Sequence, residues 1–278
     1  MITPLDYFAS LIQQDDAIPM FEAALSIAQD AEPKLDMTAC MLTIDKFALT
    51  LKQRMPKDIA KIPKLRMLNT FFYQDLGFAG NVNNYYAPDN SYLNKVLSTR
   101  KGIPISLAVI YMELAQQIGL DVKGISFPGH FLMKITVQSG DIIIDPCNGA
   151  SLSREKLEER LEPYFAEQNE LHNLSVASFL TEAHPRTILV RMLRNLKTLF
   201  SEPQYWQQFL NVQQRLVMLL PDEITERRDR GLAYANLDAP QAALQDLEAY
   251  LEECPLASDA EMLRSLLPDL RSASRKLH

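Results

Sequence analysis

Apolar side chains recur every three or four residues through the first quarter of the chain, and this spacing predicts helices within residues 4–76. Pro33, Pro56 and Pro63 divide the stretch, because proline removes a helical hydrogen bond and clashes with the preceding turn. The positions that carry the pattern are Ala39, Leu42, Phe47, Leu51, Leu65, Leu68, Phe71, Phe72 and Leu76.

A longer apolar helix is predicted in the middle of the chain. A short helix should end near Leu97, with Asn90 or Ser91 as its N-terminal cap. Pro104 suits the first position of the next helix, where its missing N–H costs nothing, and Gly119 is a natural stop. Because this second helix is apolar on nearly all sides, we expect it to lie at the centre of a domain.

The hydrophobic pattern then changes from helical to strand-like. Residues 122–127, 131–137 and 141–145 are predicted strands, and the polar turn between the last two indicates a β-hairpin. From Ser151 onward the pattern is helical again, with Ser151 or Ser153 beginning the next helix. The sequence therefore predicts a central helix packed on a small antiparallel sheet.

The last third of the chain contains a repeat. Pro221 and Pro255 are 34 residues apart, which is the period of the tetratricopeptide repeat (TPR). The preceding unit, 188–221, is degenerate because Lys197 stands where the repeat has a small residue, and a final helix at about 258–276 should cap the array. The predicted core positions of the better repeat are Gly231, Tyr234, Ala243, Leu247 and Tyr250.

The composition narrows the classes of protein. The chain has 278 residues, 47% apolar residues and a net charge of −7 with both signs mixed, so nucleic-acid binding, which needs a basic face, is not expected. No apolar run reaches the roughly 18 residues of a membrane helix, and the first residues lack a signal-peptide core. We therefore expect a soluble, cytoplasmic protein.

The cysteines and histidines do not follow a known metal or disulfide pattern. Cys40, Cys147 and Cys254 are far apart and odd in number, which fits reduced thiols. The four histidines are scattered, so neither a metal nor a cofactor is expected from spacing alone.

Three residues are arranged in the order of an acyl-transfer site. Ser106 lies in the first turn of the central helix, His130 precedes a strand and Asp145 ends its neighbour, so the last two should meet across the sheet. A helix dipole contributes about 0.3–1 kcal/mol, at most about 2, whereas each pKa unit corresponds to about 1.36 kcal/mol. The helix alone therefore cannot ionise Ser106, which could react only if His130 removes its proton directly.

Each of these residues also has an ordinary structural explanation. Ser106 can be a first-turn helix residue, Asp145 can shape a turn, and a lone His130 can belong to the core. Cys147 follows the strand end, where alternation does not fix the direction of its thiol, so it is either a nucleophile or a small buried residue.

At these residues the chain resembles the transglutaminase-like superfamily, and more closely the bacterial SirB-type proteins, in which a transglutaminase-like domain precedes TPR repeats. The resemblance covers nearly the whole chain and is carried by residues 90–107, 127–132, 144–146 and the terminal repeat. It implies an α+β, papain-like or transglutaminase-like domain over 1–165, followed by an all-α TPR-like region over 180–278.

The resemblance also implies which catalytic residue is replaced. Aligning Gly102 with the glycine of the superfamily's Gly-x-Cys motif places Pro104 at the nucleophile position, while His130 and Asp145 match the family's His and Asp. Thiol chemistry therefore does not carry over. The favoured hypothesis is a pseudoenzyme that binds a protein or peptide through its cleft and TPR groove. The alternative is a hydrolase or acyl-transferase that uses Ser106, His130 and Asp145, with Cys147 as a weaker candidate nucleophile.

Overall fold

The computed structural model describes residues 2–167 and 175–276, which form two compact units. One unit comprises Gln14–Met192; the other joins the described residues up to Gln13 to those from Leu193 onward. The boundaries predicted from the sequence, 165 and 180, therefore differ from the division that the contacts give.

The helices and strands are numbered in chain order. The helices are α1 (Pro4–Leu11), α2 (Met20–Ser26), α3 (Met37–Arg54), α4 (Lys61–Asn69), α5 (Leu93–Thr99), α6 (Pro104–Gln117), α7 (Arg154–Glu167), α8 (Pro185–Leu199), α9 (Trp206–Leu219), α10 (Ile224–Asn236), α11 (Pro240–Glu253) and α12 (Ala260–Lys276). The strands are β1 (Ala79–Gly80), β2 (Lys101–Gly102), β3 (Val122–Ile125), β4 (Leu132–Val137) and β5 (Gly140–Ile144). Among the described residues, no helix has the length and hydropathy that crossing a membrane requires.

The central helix α6 is confirmed. Pro104 is its first residue, and it packs against α2, α3 and the strands β3 and β4. The backbone leaves the helix through Gly119, whose φ of 76° is a conformation that glycine adopts at little cost. Leu107, Ala108, Ile110, Leu114 and Ala115 are all fully buried, as a helix that is apolar all round requires.

The predicted N-terminal cap of α5 is wrong. Tyr92 occupies the cap position without a side-chain hydrogen bond. Asn90 instead holds the loop before the helix: its amide nitrogen donates to the carbonyls of Asn84 and Tyr85 at 2.6 and 3.1 Å, and its amide oxygen accepts from Asn81 at 2.9 Å. The buried Asn90 side chain therefore fixes residues 81–90.

The three predicted strands form one antiparallel sheet in the order β3-β4-β5. The hairpin between β4 and β5 is confirmed: Met133 pairs with Ile144, and Val137 pairs with Gly140. A short parallel pair, β1 with β2, was not predicted, because two residues are too few to show alternation. The apolar core beside the sheet consists of Ile125, Phe127, Leu132, Ile143, Leu157, Leu161 and Val176.

The helix that follows the sheet also begins as expected. The Ser153 hydroxyl accepts a hydrogen bond from the Lys156 amide at 3.4 Å, at the start of α7. The helical pattern predicted from Ser151 onward includes residues 168–174, which lie outside the described part of the chain.

The second unit contains the predicted repeat. Helices α9, α10, α11 and α12 pack on one another in sequence, and α1 packs on α9 through the ring of Phe8, which lies under the Arg215 guanidinium. Gly231 lets α10 approach α11 closely, because a Cβ there would lie 2.9 Å from the Leu247 side chain. Of the predicted core positions, Gly231, Ala243, Leu247 and Tyr250 are buried and Tyr234 is half-buried.

The degenerate position Lys197 has a charged role in this unit. Its ammonium group lies 2.5 Å from the Glu226 carboxylate and 2.6 Å from that of Asp229. The Gln213 amide also donates to Glu226, at 3.1 Å. The lysine that departs from the repeat pattern therefore neutralises a buried carboxylate on α10.

Candidate functional site

The structure brings His130 and Asp145 together. The imidazole Nε2 lies 3.2 Å from Oδ1 of Asp145, and the exposed fractions of the two side chains are 25% and 5%. The register of the hairpin explains why the two residues are close. Met133 pairs with Ile144 at one end of the β4–β5 ladder, and His130 and Asp145 lie just beyond that end. Gly129, with a φ of 62°, turns the chain immediately before His130.

Asp145 is held by donors from three directions. Oδ1 accepts the backbone N–H of Cys147 at 2.9 Å, and Oδ2 accepts a guanidinium N–H of Arg160, on α7, at 2.6 Å. Burial acts to raise the pKa of Asp145, but the hydrogen bonds from His130, Cys147 and Arg160 outweigh it and hold the pKa well below its ordinary value. Asp145 is therefore ionised at neutral pH and orients His130.

Arg160 is the member of this group that sequence reasoning missed. It lies in a polar stretch of α7, so no motif marks it. It reaches the carboxylate because Leu157 and Leu161, on either side of it, are buried in the core beside the sheet. Only the packing of that helix reveals the contact.

Ser106 is placed differently from a nucleophile that faces His130. The side chain is fully buried, and its hydroxyl lies 2.6 Å from the Asn90 carbonyl and 3.0 Å from the Ile103 carbonyl. It also accepts the Ile103 backbone N–H at 3.2 Å, which satisfies one of the unpaired donors at the start of α6. The hydrogen bonds of Ser106 in the described structure thus join the helix start to the preceding loop, and His130 is not among its partners.

Pro104, which the resemblance aligns with the superfamily's cysteine, is buried at the start of α6. Its side chain is a saturated ring without a nucleophilic or titratable group. The first turn of the central helix consequently presents neither a thiol nor an available hydroxyl at this point.

The thiol nearest to the pair belongs to Cys147. Its Sγ, a His130 ring nitrogen and an Asp145 carboxylate oxygen all lie within 4.8 Å of one another. Burial, together with the charge and hydrogen bond of Asp145, raises the pKa of the Cys147 thiol to about 12. The thiol is therefore protonated at neutral pH, which makes it a poor nucleophile despite its position.

The backbone around Cys147 is fixed on both sides. Its carbonyl accepts the N–H of Gly80 at 3.1 Å, and a Cβ at Gly80 would lie 3.0 Å from Sγ. The Tyr73 hydroxyl donates to the carbonyl of Pro146 at 3.0 Å. Gly149, with a φ of 74°, lies against the Tyr73 ring and leaves no room for a Cβ.

Aromatic side chains and the Arg191 guanidinium lie around this group on the surface. We define the cleft rim as Tyr85, Tyr86, Tyr164 and Arg191. Tyr85 and Tyr86 are 48% and 78% exposed, and their rings pack edge to face at 5.4 Å. Tyr164 lies against the backbone of Gly129. The Arg191 guanidinium interacts electrostatically with Tyr85 and Tyr164, and it donates to Ser126 Oγ at 2.8 Å and to the Phe127 carbonyl at 2.9 Å.

The central helix, the antiparallel sheet and a His–Asp pair at the sheet edge define a transglutaminase-like domain, and the helices that follow define TPR repeats. Comparison with known families agrees: residues 38–194 match the transglutaminase-like superfamily, and residues 196–268 match the tetratricopeptide repeat.

Similar proteins occur in several bacteria. A UPF0162 protein of Xylella fastidiosa (strain Temecula1) is 37% identical over 266 residues, covering 95% of this chain and 94% of the relative. The UPF0162 protein YchA of Escherichia coli (strain K12) is 31% identical, covering 77% and 79%. Protein SirB1 of Salmonella typhimurium is 28% identical, covering 84% and 86%. The chain belongs to the family of the UPF0162 proteins, within the transglutaminase-like superfamily.

Proposed function

We propose that the protein is a non-catalytic member of its superfamily that binds a protein or peptide partner through the cleft around His130 and through its TPR groove. The single observation that carries this proposal is the state of the first turn of α6. Pro104, which the resemblance aligns with the superfamily's cysteine, has no nucleophilic group, and the next hydroxyl in the sequence, that of Ser106, is buried and bonded to Asn90 and Ile103. A cleft without an available nucleophile can still bind a chain.

The cleft rim has the composition of a recognition surface. Tyrosine supplies a large contact area at low cost in side-chain entropy, and Tyr and Arg are enriched among the residues that dominate binding energy. Tyr85 and Tyr86 lie in a loop that Asn90 fixes, so less ordering entropy is lost when a partner binds. These features support peptide binding at the rim.

The second surface lies in the repeat unit. TPR repeats generally mediate protein–protein contacts, because stacked helix pairs present an extended concave face. A surface cavity of about 580 Å³ opens between α8, α9 and α10. It is lined by Arg194, Lys197, Thr198, Ser201, Trp206, Phe209 and Asp229. We assign this cavity to the groove that receives a partner.

Site-specific photo-crosslinking tests the proposal in cells. A photoreactive amino acid at Tyr86 should capture a discrete protein, whereas the same residue at Leu49, an exposed apolar position on α3, should not. With that partner purified, the double variant Y85A/Y86A should weaken binding at least about tenfold, which corresponds to about 1.4 kcal/mol. Equal capture at both positions, or unchanged affinity of the double variant, contradicts a role for the rim.

The corresponding test of the groove uses the same purified partner. Trp206→Ala should weaken binding by a similar factor. Trp206→Phe keeps an aromatic ring in the cavity and should therefore reduce the affinity less. If neither the rim variant nor the groove variant changes the affinity, the binding proposal fails for both surfaces.

A second candidate function is a hydrolase or acyl-transferase that uses Ser106, His130 and Asp145. The 3.2 Å contact between His130 and Asp145 favours it, because an ionised carboxylate orients the imidazole as a base. For Ser106 to react, its hydroxyl must leave Asn90 and Ile103. Labelling of Ser106 by a fluorophosphonate probe, abolished in S106A and H130Q, would support this candidate; the binding proposal predicts no labelling of Ser106.

A further inference from the structure

Three donor atoms of different chemistry converge at the edge of the sheet. A ring nitrogen of His130, a carboxylate oxygen of Asp145 and the sulfur of Cys147 lie within 4.8 Å of one another. Separations of 15 and 2 residues match no metal-binding motif, which is why the sequence indicates no such site. The β4–β5 hairpin brings His130 beside Asp145, and the turn after β5 returns Cys147 to the same point.

The distances suit a small tetrahedral cation. Zinc binds histidine nitrogen and carboxylate oxygen at about 2.0–2.2 Å and thiolate sulfur at about 2.3 Å, so ligand atoms around it stand roughly 3.3–3.8 Å apart. The 3.2 Å between His130 and Asp145 is close to that range. With all three atoms inside 4.8 Å, closing the set needs side-chain movements of about an ångström.

The surroundings hold the donors in place. Arg160 donates a hydrogen bond to Oδ2 of Asp145, and the Cys147 N–H donates to Oδ1. Hydrogen bonds of this kind orient a carboxylate that binds a metal. Gly80 and Tyr73 fix the carbonyls of Cys147 and Pro146, so the loop that carries the thiol is anchored. The positive charge of Arg160 repels a bound cation. Its hydrogen bond, however, is to Oδ2 of Asp145, whereas His130 faces Oδ1.

We propose that His130, Asp145 and Cys147 form a zinc-binding site with three protein ligands. Zinc binds Nε2 of His130 while the imidazole keeps one proton on Nδ1, and the Cys147 thiol loses its proton to the buffer as the Zn–S bond forms. A water molecule completes the tetrahedron. The ligand set of nitrogen, oxygen and thiolate favours zinc over magnesium or calcium, which prefer oxygen alone.

Cobalt(II) is the spectroscopic probe for this site. Full-length protein, stripped with a chelator and titrated with Co²⁺, should bind one ion with the intense visible bands of tetrahedral cobalt and a thiolate charge-transfer band in the near ultraviolet. Zn²⁺ should displace both signals. Cys147→Ser should remove the charge-transfer band, and His130→Gln should weaken cobalt binding at least about tenfold.

Matched controls come from the chain itself. Cys40→Ser, Cys254→Ser and His184→Gln change the same residue types elsewhere and should leave both signals unchanged. Absence of a thiolate band at saturating cobalt, or a band that persists in Cys147→Ser, overturns the proposal. Circular dichroism of each variant establishes that it is folded.

A second measurement needs no variant. A small neutral thiol reagent is applied to wild-type protein with and without saturating Zn²⁺, and modification of each cysteine is followed by mass spectrometry of its peptide. Zinc should slow modification of Cys147 at least about tenfold and leave Cys40 and Cys254 unaffected. Equal rates at Cys147 in the two conditions contradict a zinc–thiolate bond.

Discussion

The Ser106 hydroxyl lies 2.6 Å from the backbone carbonyl of Asn90, and this contact decides how the site can be interpreted. Asn90 fixes the loop that carries Tyr85, while Ser106 lies in the first turn of the central helix. The hydroxyl in the first turn of the central helix is thus a structural link between a loop and a helix.

The first prediction concerns the stability that this link provides. Ser106→Ala removes a buried hydroxyl that pairs with Ile103 and Asn90, so we expect the free energy of unfolding to fall by about 1–2 kcal/mol. Urea denaturation followed by circular dichroism measures it. Ser98→Ala, at an exposed serine whose hydroxyl donates to the Lys95 carbonyl, is the control and should change stability by less than about 0.5 kcal/mol. Equal stability of wild type and Ser106→Ala would show that the link contributes nothing.

The second prediction concerns the buried carboxylate of the site. Asp145→Ala leaves Arg160, His130 and the Cys147 N–H without their acceptor. Arg160 and His130 are partly exposed, so water replaces part of the lost interaction. We therefore expect the free energy of unfolding to fall by about 2 kcal/mol, rather than by the 3–5 kcal/mol typical of a fully buried pair. Asp121→Ala, at a largely exposed ion pair with Lys123, is the control and should cost less than about 1 kcal/mol.

A double-mutant cycle assigns part of that loss to Arg160. If the two side chains interact as the 2.6 Å contact indicates, the loss of stability in the double variant should differ from the sum of the losses for Asp145→Ala and Arg160→Ala by about 0.5–2 kcal/mol. Strict additivity in chemical denaturation would mean that α7 contributes nothing to the position of the carboxylate.

The sequence predicts those elements that leave a local pattern. The period of the apolar residues and the position of Pro104 indicate α6, alternation and a polar turn indicate the β4–β5 hairpin, and a 34-residue spacing indicates the repeat. The contact between His130 and Asp145 follows from the same hairpin, which is why the sequence predicts that the two side chains meet.

The remaining features of the site depend on contacts that no local pattern records. The acceptor of the Ser106 hydroxyl is a backbone carbonyl 16 residues away, and any residue type at that position offers the same group. Arg160 reaches the site only because its helix packs on the sheet. The direction of the Cys147 thiol depends on a turn after the strand has ended, where alternation no longer applies.

The third prediction concerns pH and the buried carboxylate of the repeat. Burial acts to raise the pKa of Glu226, but the hydrogen bond and charge of Lys197, with Gln213 and Arg194, lower it below its ordinary 4.5. A group whose folded-state pKa is lowered stabilises the protein above the unfolded pKa and loses that contribution as pH falls through the folded value. Wild type should therefore exceed Glu226→Gln in stability by about 1–3 kcal/mol at pH 7, and the difference should shrink below pH 4.5.

Chemical denaturation of both proteins across this pH range tests the sign. Glu223→Gln, at an exposed glutamate that precedes the same helix, supplies the control and should not reproduce the pattern. A difference that is constant with pH, or that grows on acidification, would mean that Glu226 and Lys197 are not coupled in the folded state.

The fourth prediction concerns the close approach of α10 and α11. Gly231→Ala places a methyl group 2.9 Å from the Leu247 side chain, so a neighbour must move. Alanine gains about 1 kcal/mol of helix propensity over glycine, but overpacking a buried contact costs about 1–3 kcal/mol. We expect a net loss of up to about 2 kcal/mol, seen as a lower midpoint of unfolding.

The Leu247→Ala background separates packing from propensity. With the leucine truncated, the two 2.9 Å contacts are gone and the 3.1 Å approach to Asp246 Cβ remains, so Gly231→Ala should lower the free energy of unfolding by clearly less than in the wild type. The difference between the two backgrounds is the result that identifies the contact with Leu247. If Gly231→Ala is equally destabilising in both, its cost arises from the backbone of α10, and the small residue at this repeat position is not explained by the approach of Leu247.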